Sequence, residues 1–96
     1  MHADHDSRDL ARAVPKEHAL AQMAKRQITP EAVRDVLRAP EEVLAVRSGR
    51  VVAQSVIVGP TGRAYLLRVF VDVDTESPEI VTAYRTSNIE KYRSRP

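Results

Sequence analysis

Apolar and polar residues follow two different rhythms along this chain, and the change falls at Pro40. Before Pro40 the spacing is helical. Residues 16–27 are helix formers without an internal Gly or Pro, and Leu20, Met23 and Ala24 form an i, i+3, i+4 apolar stripe. Pro15 suits the start of this helix, where its missing N–H costs nothing. His18, Gln22 and Lys25 share a polar side, with His18 nearly opposite Leu20. Thr29 then reads as an N-cap, Pro30 as the first helical residue, and Glu31 as an acid that complements the positive end of the helix. The second helix runs to about Arg38 on a stripe of Val33, Val36 and Leu37, and Pro40 stops it.

After Pro40 the period is two. Residues 42–47, 50–58, 63–72 and 79–85 read as strands. Ser48-Gly49, Gly59-Pro60-Thr61-Gly62 and the polar loop 73–78 separate them. Residues 86–93 read as a short helix capped by Thr86 or Ser87. Short turns between consecutive strands favour an antiparallel meander. The predicted fold is therefore α+β: two N-terminal helices packed on a four-stranded antiparallel sheet, with a short C-terminal helix. The expected domain spans residues 16–96, behind a flexible polar segment over residues 1–15.

With the helices on one face, the other face is expected to be open and to carry function. In the third strand Tyr65, Leu67, Val69 and Val71 share the core face, and Leu66, Arg68, Phe70 and Asp72 share the other. In the fourth, Val81 and Ala83 suit the core and alternate with Ile80, Thr82 and Tyr84. Arg68, Thr82 and Tyr84 are thus expected together on the open face, in a register that a one-residue slip would reverse.

Composition bounds these expectations. At 96 residues, 43% hydrophobic and 29% charged, the chain holds one core and is no disordered polyelectrolyte. It has no cysteine, which rules out disulfides, Cys-ligated zinc and thiol catalysis. No apolar stretch nears the ~20 residues that span a bilayer, and residues 1–10 lack the apolar region of a secretory signal. A cytoplasmic protein without membrane contact is the expectation. The net charge of +2 is uneven. Residues 1–15 set Arg8 and Arg12 against three aspartates, whereas residues 85–96 set Arg85, Lys91, Arg93 and Arg95 against Glu90 alone. Clustered basic residues permit a polyanion partner.

The usual cofactor motifs are missing. Gly49, Gly59 and Gly62 lie in turns and form no phosphate loop, and neither G-x-S-x-G nor H-E-x-x-H occurs. Asp72-x-Asp74-x-Glu76 lacks the glycine and the distal glutamate of a calcium loop. An enzyme built from this chain would use His, Arg, Lys, Tyr and Thr, with no cofactor and no metal. That set suits RNA cleavage, because RNA brings its own 2′-hydroxyl nucleophile. Histidine can move the proton near neutral pH, and arginine can stabilise phosphoryl charge.

Two runs carry a family likeness. His18-Ala19-Leu20, Met23, Lys25-Arg26, Ile28-Thr29-Pro30-Glu31 and Val33 form the first. Residues 80–87 (IVTAYRTS), with Ile89 and Lys91-Tyr92, form the second. Together they resemble domain-of-unknown-function family 4258 over residues 16–92. That family in turn resembles the RelE/ParE and BrnT toxins, small folds with two helices ahead of an antiparallel sheet. The resemblance implies a metal-independent endoribonuclease of a toxin–antitoxin pair, acting on single-stranded or ribosome-bound RNA, with a cognate antitoxin as protein partner. It matches His18, Arg26, Thr82 and Tyr84 to family positions. His18 is then the expected general base or acid, with Arg68 on the phosphate, Tyr84 orienting phosphate or sugar, and Thr82 fixing its neighbours. Arg26, Arg47, Arg50, Arg85 and Lys91 are expected RNA-binding residues; Arg47, Arg50 and Arg68 come from strand geometry and not from a matched family position. Two other readings stay open: a non-catalytic RNA- or protein-binding module, and a ParE-like gyrase inhibitor.

Overall fold

Local chemistry sets the helix ends. The computed structural model describes residues 10–93; the expectations for residues 1–9 and 94–96 lie outside the described residues. Helix α1 is Glu17–Lys25 and helix α2 is Pro30–Arg38. The Thr29 hydroxyl accepts the Ala32 N–H at 3.1 Å, capping α2 with Pro30 in its first turn. At the end of α1, Gln27 takes a left-handed φ of 59°. The Gln27 N–H reaches the Ala24 carbonyl at 3.1 Å and the Ile28 N–H reaches the Met23 carbonyl at 2.9 Å. This is the Schellman arrangement, formed here on glutamine in place of glycine.

Four strands follow in a meander: β2 (Glu42–Arg47), β3 (Arg50–Val58), β4 (Ala64–Asp72) and β5 (Glu79–Thr86). A two-residue strand, β1 (Val14–Pro15), joins them. It pairs parallel with β5 at Glu79 and Ile80, so the sheet is five-stranded in the order β1-β5-β4-β3-β2. The α+β class holds, and the purely antiparallel four-stranded sheet is corrected by this addition. A short helix α3 (Ile89–Tyr92) follows β5.

β1 also moves the start of the domain. Residues 10–15, expected to be frayed, lie against the domain: Leu10 is fully buried and Ala13 nearly so. Pro15 sits in a strand and not in a helix, and Lys16 stands at the α1 N-cap position. The seat of α1 is corrected too. Ala19 and Met23 are buried, whereas Leu20 is 45% exposed. The small Ala19 side chain lets the helix approach β5 closely, and Leu20 is turned outward.

The core lies between the helices and one sheet face. Leu67, Val69 and Val71 of β4 meet Val33, Val36 and Leu37 of α2 there, as the alternation predicts. β5 departs from it. Its register against β4 shifts between Phe70 and Val71, so Thr82 opposes Phe70 while Ile80 opposes Val71. This extra residue puts Ile80 in the core beside Ala83, where simple alternation expects Val81. Turn chemistry is equally specific at Gly49. Its φ is +82°, and a Cβ there would collide with the Asp74 carboxylate.

Two stability outcomes follow. Leu10→Ala should lower unfolding free energy by about 2–4 kcal/mol in urea titration, the usual range for truncating a buried leucine. Gln27→Gly should raise it by about 1 kcal/mol, because it relieves a left-handed backbone without disturbing either capping bond.

Candidate functional site

The predicted residues divide between two places. The first is the sheet face away from α1 and α2. Arg68 and Tyr84 are cross-strand partners on β4 and β5, and Arg68 Nη1 donates to the Tyr84 hydroxyl at 2.7 Å. Arg68 Nε donates to Gln54 Oε1 at 2.8 Å. Gln54, on β3, is 1% exposed and donates through Nε2 to Glu42 Oε1 at 2.7 Å and to the Tyr92 carbonyl at 3.0 Å. Every side-chain polar atom of this buried amide is thus engaged.

Rings enclose the same guanidinium. Its carbon lies 4.4 Å from the Tyr92 centroid, 5.3 Å from Phe70 and 5.7 Å from Tyr84. Phe70 and Tyr84 stack at 5.9 Å, and Tyr92 meets Tyr84 edge-on at 6.4 Å. The face expected to be open therefore carries a roof, made by α3. A phosphate approaching Arg68 would meet Tyr92 and compete with Gln54 and Tyr84. Arg68 acts here as a positioning residue, holding the Tyr84 hydroxyl and the α3 roof on the sheet.

The second place is the seam between α1 and β5. β1 reaches only to Ile80, so beyond it that side of β5 has no strand partner among the described residues. Side chains of α1 take its place. Arg26 Nη1 donates to the Ala83 carbonyl at 2.8 Å and to the Thr82 hydroxyl at 3.1 Å. The Thr82 hydroxyl donates to Gln22 Oε1 at 2.7 Å. Farther along, Arg85 Nη1 donates to the Gln27 carbonyl at 3.1 Å. The register pairs Thr82 with Phe70 and Tyr84 with Arg68, so the three share a sheet face as expected. Their side chains do not converge: Tyr84 joins Arg68, whereas the Thr82 hydroxyl turns over the free edge of β5 to Gln22 and Arg26.

His18 lies one turn before Gln22, on the same side of α1. It is exposed and makes no hydrogen bond or ion pair with another described residue. The expected convergence of His18 with Arg68 is not formed. α1 seats Ala19 and Met23 on the core face of the sheet, and Arg68 projects from the other face. What α1 and β5 bring together is His18, Gln22, Thr82 and Arg26 along one seam.

The remaining basic residues differ in availability. Arg50 Nε lies 2.6 Å from Asp72 Oδ1, and its Nη2 donates to Asp72 Oδ2 at 3.2 Å. The Asp72 carboxyl is held below the ordinary carboxylate range, first by this hydrogen bond and then, against the cost of burial, by the nearby positive charge. Arg50 is correspondingly raised. Arg50 is thus committed to a partner across the β3–β4 ladder. Arg47 and Lys91 are exposed, with Lys91 Nζ 5.3 Å from the Tyr92 centroid. Among the described residues no group of three or more His, Asp or Glu side chains is placed to hold a metal, and no helix is long and apolar enough to cross a membrane.

Gln54, Gln22 and Tyr92 were not among the predicted site residues. Gln54 carried a signal: a glutamine amid Val51, Val52, Ala53 and Val56 is a polar group in a run that must be buried. Gln22 stood on the polar side of α1 with His18, and Tyr92 in the family-like run, but the partner of each is set by a long-range contact.

In comparison with known families, the model of the domain of unknown function DUF4258 matches residues 16–85. That stretch holds His18, Arg26, Arg68, Thr82, Tyr84 and the whole seam. No curated protein and no solved structure matches the chain.

Arg68→Ala should cost about 2–4 kcal/mol of stability in denaturant titration, because it strands the buried Gln54 amide and removes the cation beneath Tyr92. Asp72 adds a pH signature. Its depressed carboxyl stabilises the fold fully above the unfolded-state value of about 3.9, and this contribution fades as pH falls toward the folded-state value. Asp72→Asn should therefore lower thermal stability at pH 7 and flatten its fall below pH 4.

Proposed function

The chain belongs to the DUF4258 family, and from that premise we propose that it is a toxin-like endoribonuclease that needs no metal and cuts RNA at the α1–β5 seam. The single observation that supports this most is the exposed, unengaged His18 on the same side of α1 as Gln22, whose side-chain Oε1 accepts from the Thr82 hydroxyl and fixes it next to the Arg26 guanidinium. A free imidazole, a held hydroxyl and an anchored cation are the groups that phosphodiester transfer requires. The likeness to RelE/ParE and BrnT toxins belongs to this proposal, and the order of two helices ahead of an antiparallel meander supports it. So does the expectation of a cognate antitoxin as partner.

In this reading the imidazole of His18 takes the proton of an RNA 2′-hydroxyl. The 2′-oxygen forms a bond to phosphorus and the bond to the 5′-oxygen breaks. The leaving 5′-oxygen takes a proton from water on the opposite face and the imidazolium releases its own to solvent, so the products are a 2′,3′-cyclic phosphate and a 5′-hydroxyl. Arg26 balances charge on the phosphorane. Thr82 and Gln22 hold Arg26 and the edge of β5 in place, and Arg68 acts indirectly by orienting Tyr84.

A second reading, a non-catalytic RNA- or protein-binding module, is favoured by the closed state of the Arg68 assembly. One experiment separates the two. The wild-type protein should cleave single-stranded RNA in EDTA and leave cyclic phosphate ends, and His18→Ala should reduce the rate by a factor of about 10²–10⁴, the usual worth of a general acid–base. Equal cutting by wild type and His18→Ala would remove the seam as the site, and intact RNA with both would set the cleavage reading aside in favour of binding.

A further inference from the structure

Past the C-terminal end of α1 the seam opens into a cleft of about 550 Å³, between the α1–α2 junction and the β3–β4 hairpin. This size falls in the range of small-molecule sites. Its lining has two characters. Ile57 and Val58 supply apolar surface over the buried Ile28 and Leu67, and Tyr65 and Arg85 supply a ring and a cation. The Tyr65 ring has two guanidinium groups near it, Arg63 at 5.8 Å and Arg85 at 5.7 Å from its centroid. Gly59 makes room for the ring: a Cβ there would stand 3.3 Å from the Tyr65 edge. The hairpin is pinned at the same point, where the Gly59 N–H bonds to the Arg63 carbonyl at 2.9 Å.

Among the described residues no carboxylate lines this cleft. An apolar slot, an aromatic ring and the Arg85 cation, with Arg63 against the same ring outside the lining, complement a ligand with a flat ring and a negative charge. A nucleotide has that form, and single-stranded nucleic acids are held by stacking on aromatic rings beside arginines. The cleft also continues the seam. Arg26 lies eight residues from His18 on one helix, roughly 12 Å away along its axis, and Arg85 follows at the Gln27 carbonyl.

We infer that this cleft is a base-binding subsite for one nucleotide of a single-stranded RNA, with the base on Tyr65 and the adjoining phosphate on Arg85 and Arg63. The inference rests on the RNA reading above for the identity of the strand, but not on cleavage. Val58, 70% exposed at the hairpin end of the cleft, offers the base a further apolar contact.

The test is fluorescence anisotropy with a labelled single-stranded hexanucleotide RNA in EDTA, using full-length protein carrying His18→Ala so that the RNA stays intact. Adding Tyr65→Ala should weaken binding about tenfold or more, and Tyr65→Phe should leave it unchanged. Arg85→Ala should lower the slope of log affinity against log salt by about 0.7, one phosphate contact on a single strand. Duplex RNA should be insensitive to Tyr65→Ala. Thermal melting checks that each variant is folded, and Arg85→Ala keeps the test open if Tyr65→Ala is not. Unchanged affinity and salt slope in the variants, or no binding by the parent, would overturn the subsite. Displacement of the RNA by adenosine monophosphate at equal affinity would overturn the RNA strand as its occupant. If the wild type fails to cut RNA while the dependence on Tyr65 persists, the cleavage reading falls and the subsite stands.

Discussion

A guanidinium cannot shed its charge, so a half-buried arginine must be surrounded by acceptors and ring faces. Arg68 imposes that demand from the centre of the sheet. β3 answers with Gln54, β5 with Tyr84, and α3 with Tyr92. Gln54 in turn needs Glu42 on β2 and the Tyr92 carbonyl. A single cation thereby ties four elements together on the side of the sheet that α1 and α2 do not cover. Partial satisfaction would be costly, because a buried amide and a buried charge share their partners. The Arg68 side chain therefore has a structural task that by itself explains its place, whatever the protein binds.

The other organising constraint is the free side of β5. An unpaired strand edge is a template for unwanted pairing, and proteins cover such edges with short strands, helices or charge. This chain uses all three devices in sequence. β1 pairs with the first residues of β5, and α1 then runs alongside. Arg26 reaches over to hold the Ala83 carbonyl. The seam is thus a consequence of edge protection, and it leaves a row of polar side chains at the surface. Chemistry placed there is held by rigid elements on both sides, as a catalytic or binding constellation requires.

Much of this was legible from residue pattern. Thr29-Pro30-Glu31 announced α2, because capping is a local matter of one hydroxyl and one ring. β2 and β3 run where period-two alternation placed them, and the inward set of β4 follows its parity. The failures share a cause. The bulge in β5 leaves no mark in Ile80-Val81-Thr82-Ala83, where either parity offers an apolar face. The rotation of α1 toward Ala19 depends on how near β5 lies, and Leu20 is the more apolar residue by composition. Leu10 hides in a polar segment, and its burial follows from β1. Tyr92 roofs Arg68 only because the chain turns back after Thr86. The likeness in residues 80–92 pointed to Tyr84, but it carried no account of what would cover it.

The stretch that bears the family signature, residues 16–85, is not the stretch that holds the shape. Leu10 lies before it and Tyr92 after it, and each fills a place that nothing inside the signature can fill. A protein trimmed to the signature would keep His18, Arg26, Arg68, Thr82 and Tyr84. It would also have an opened core at one end and an unroofed cation at the other. In this chain the span that the family model matches is shorter than the span that closes the structure, and the difference includes Leu10 on one side and Tyr92 on the other.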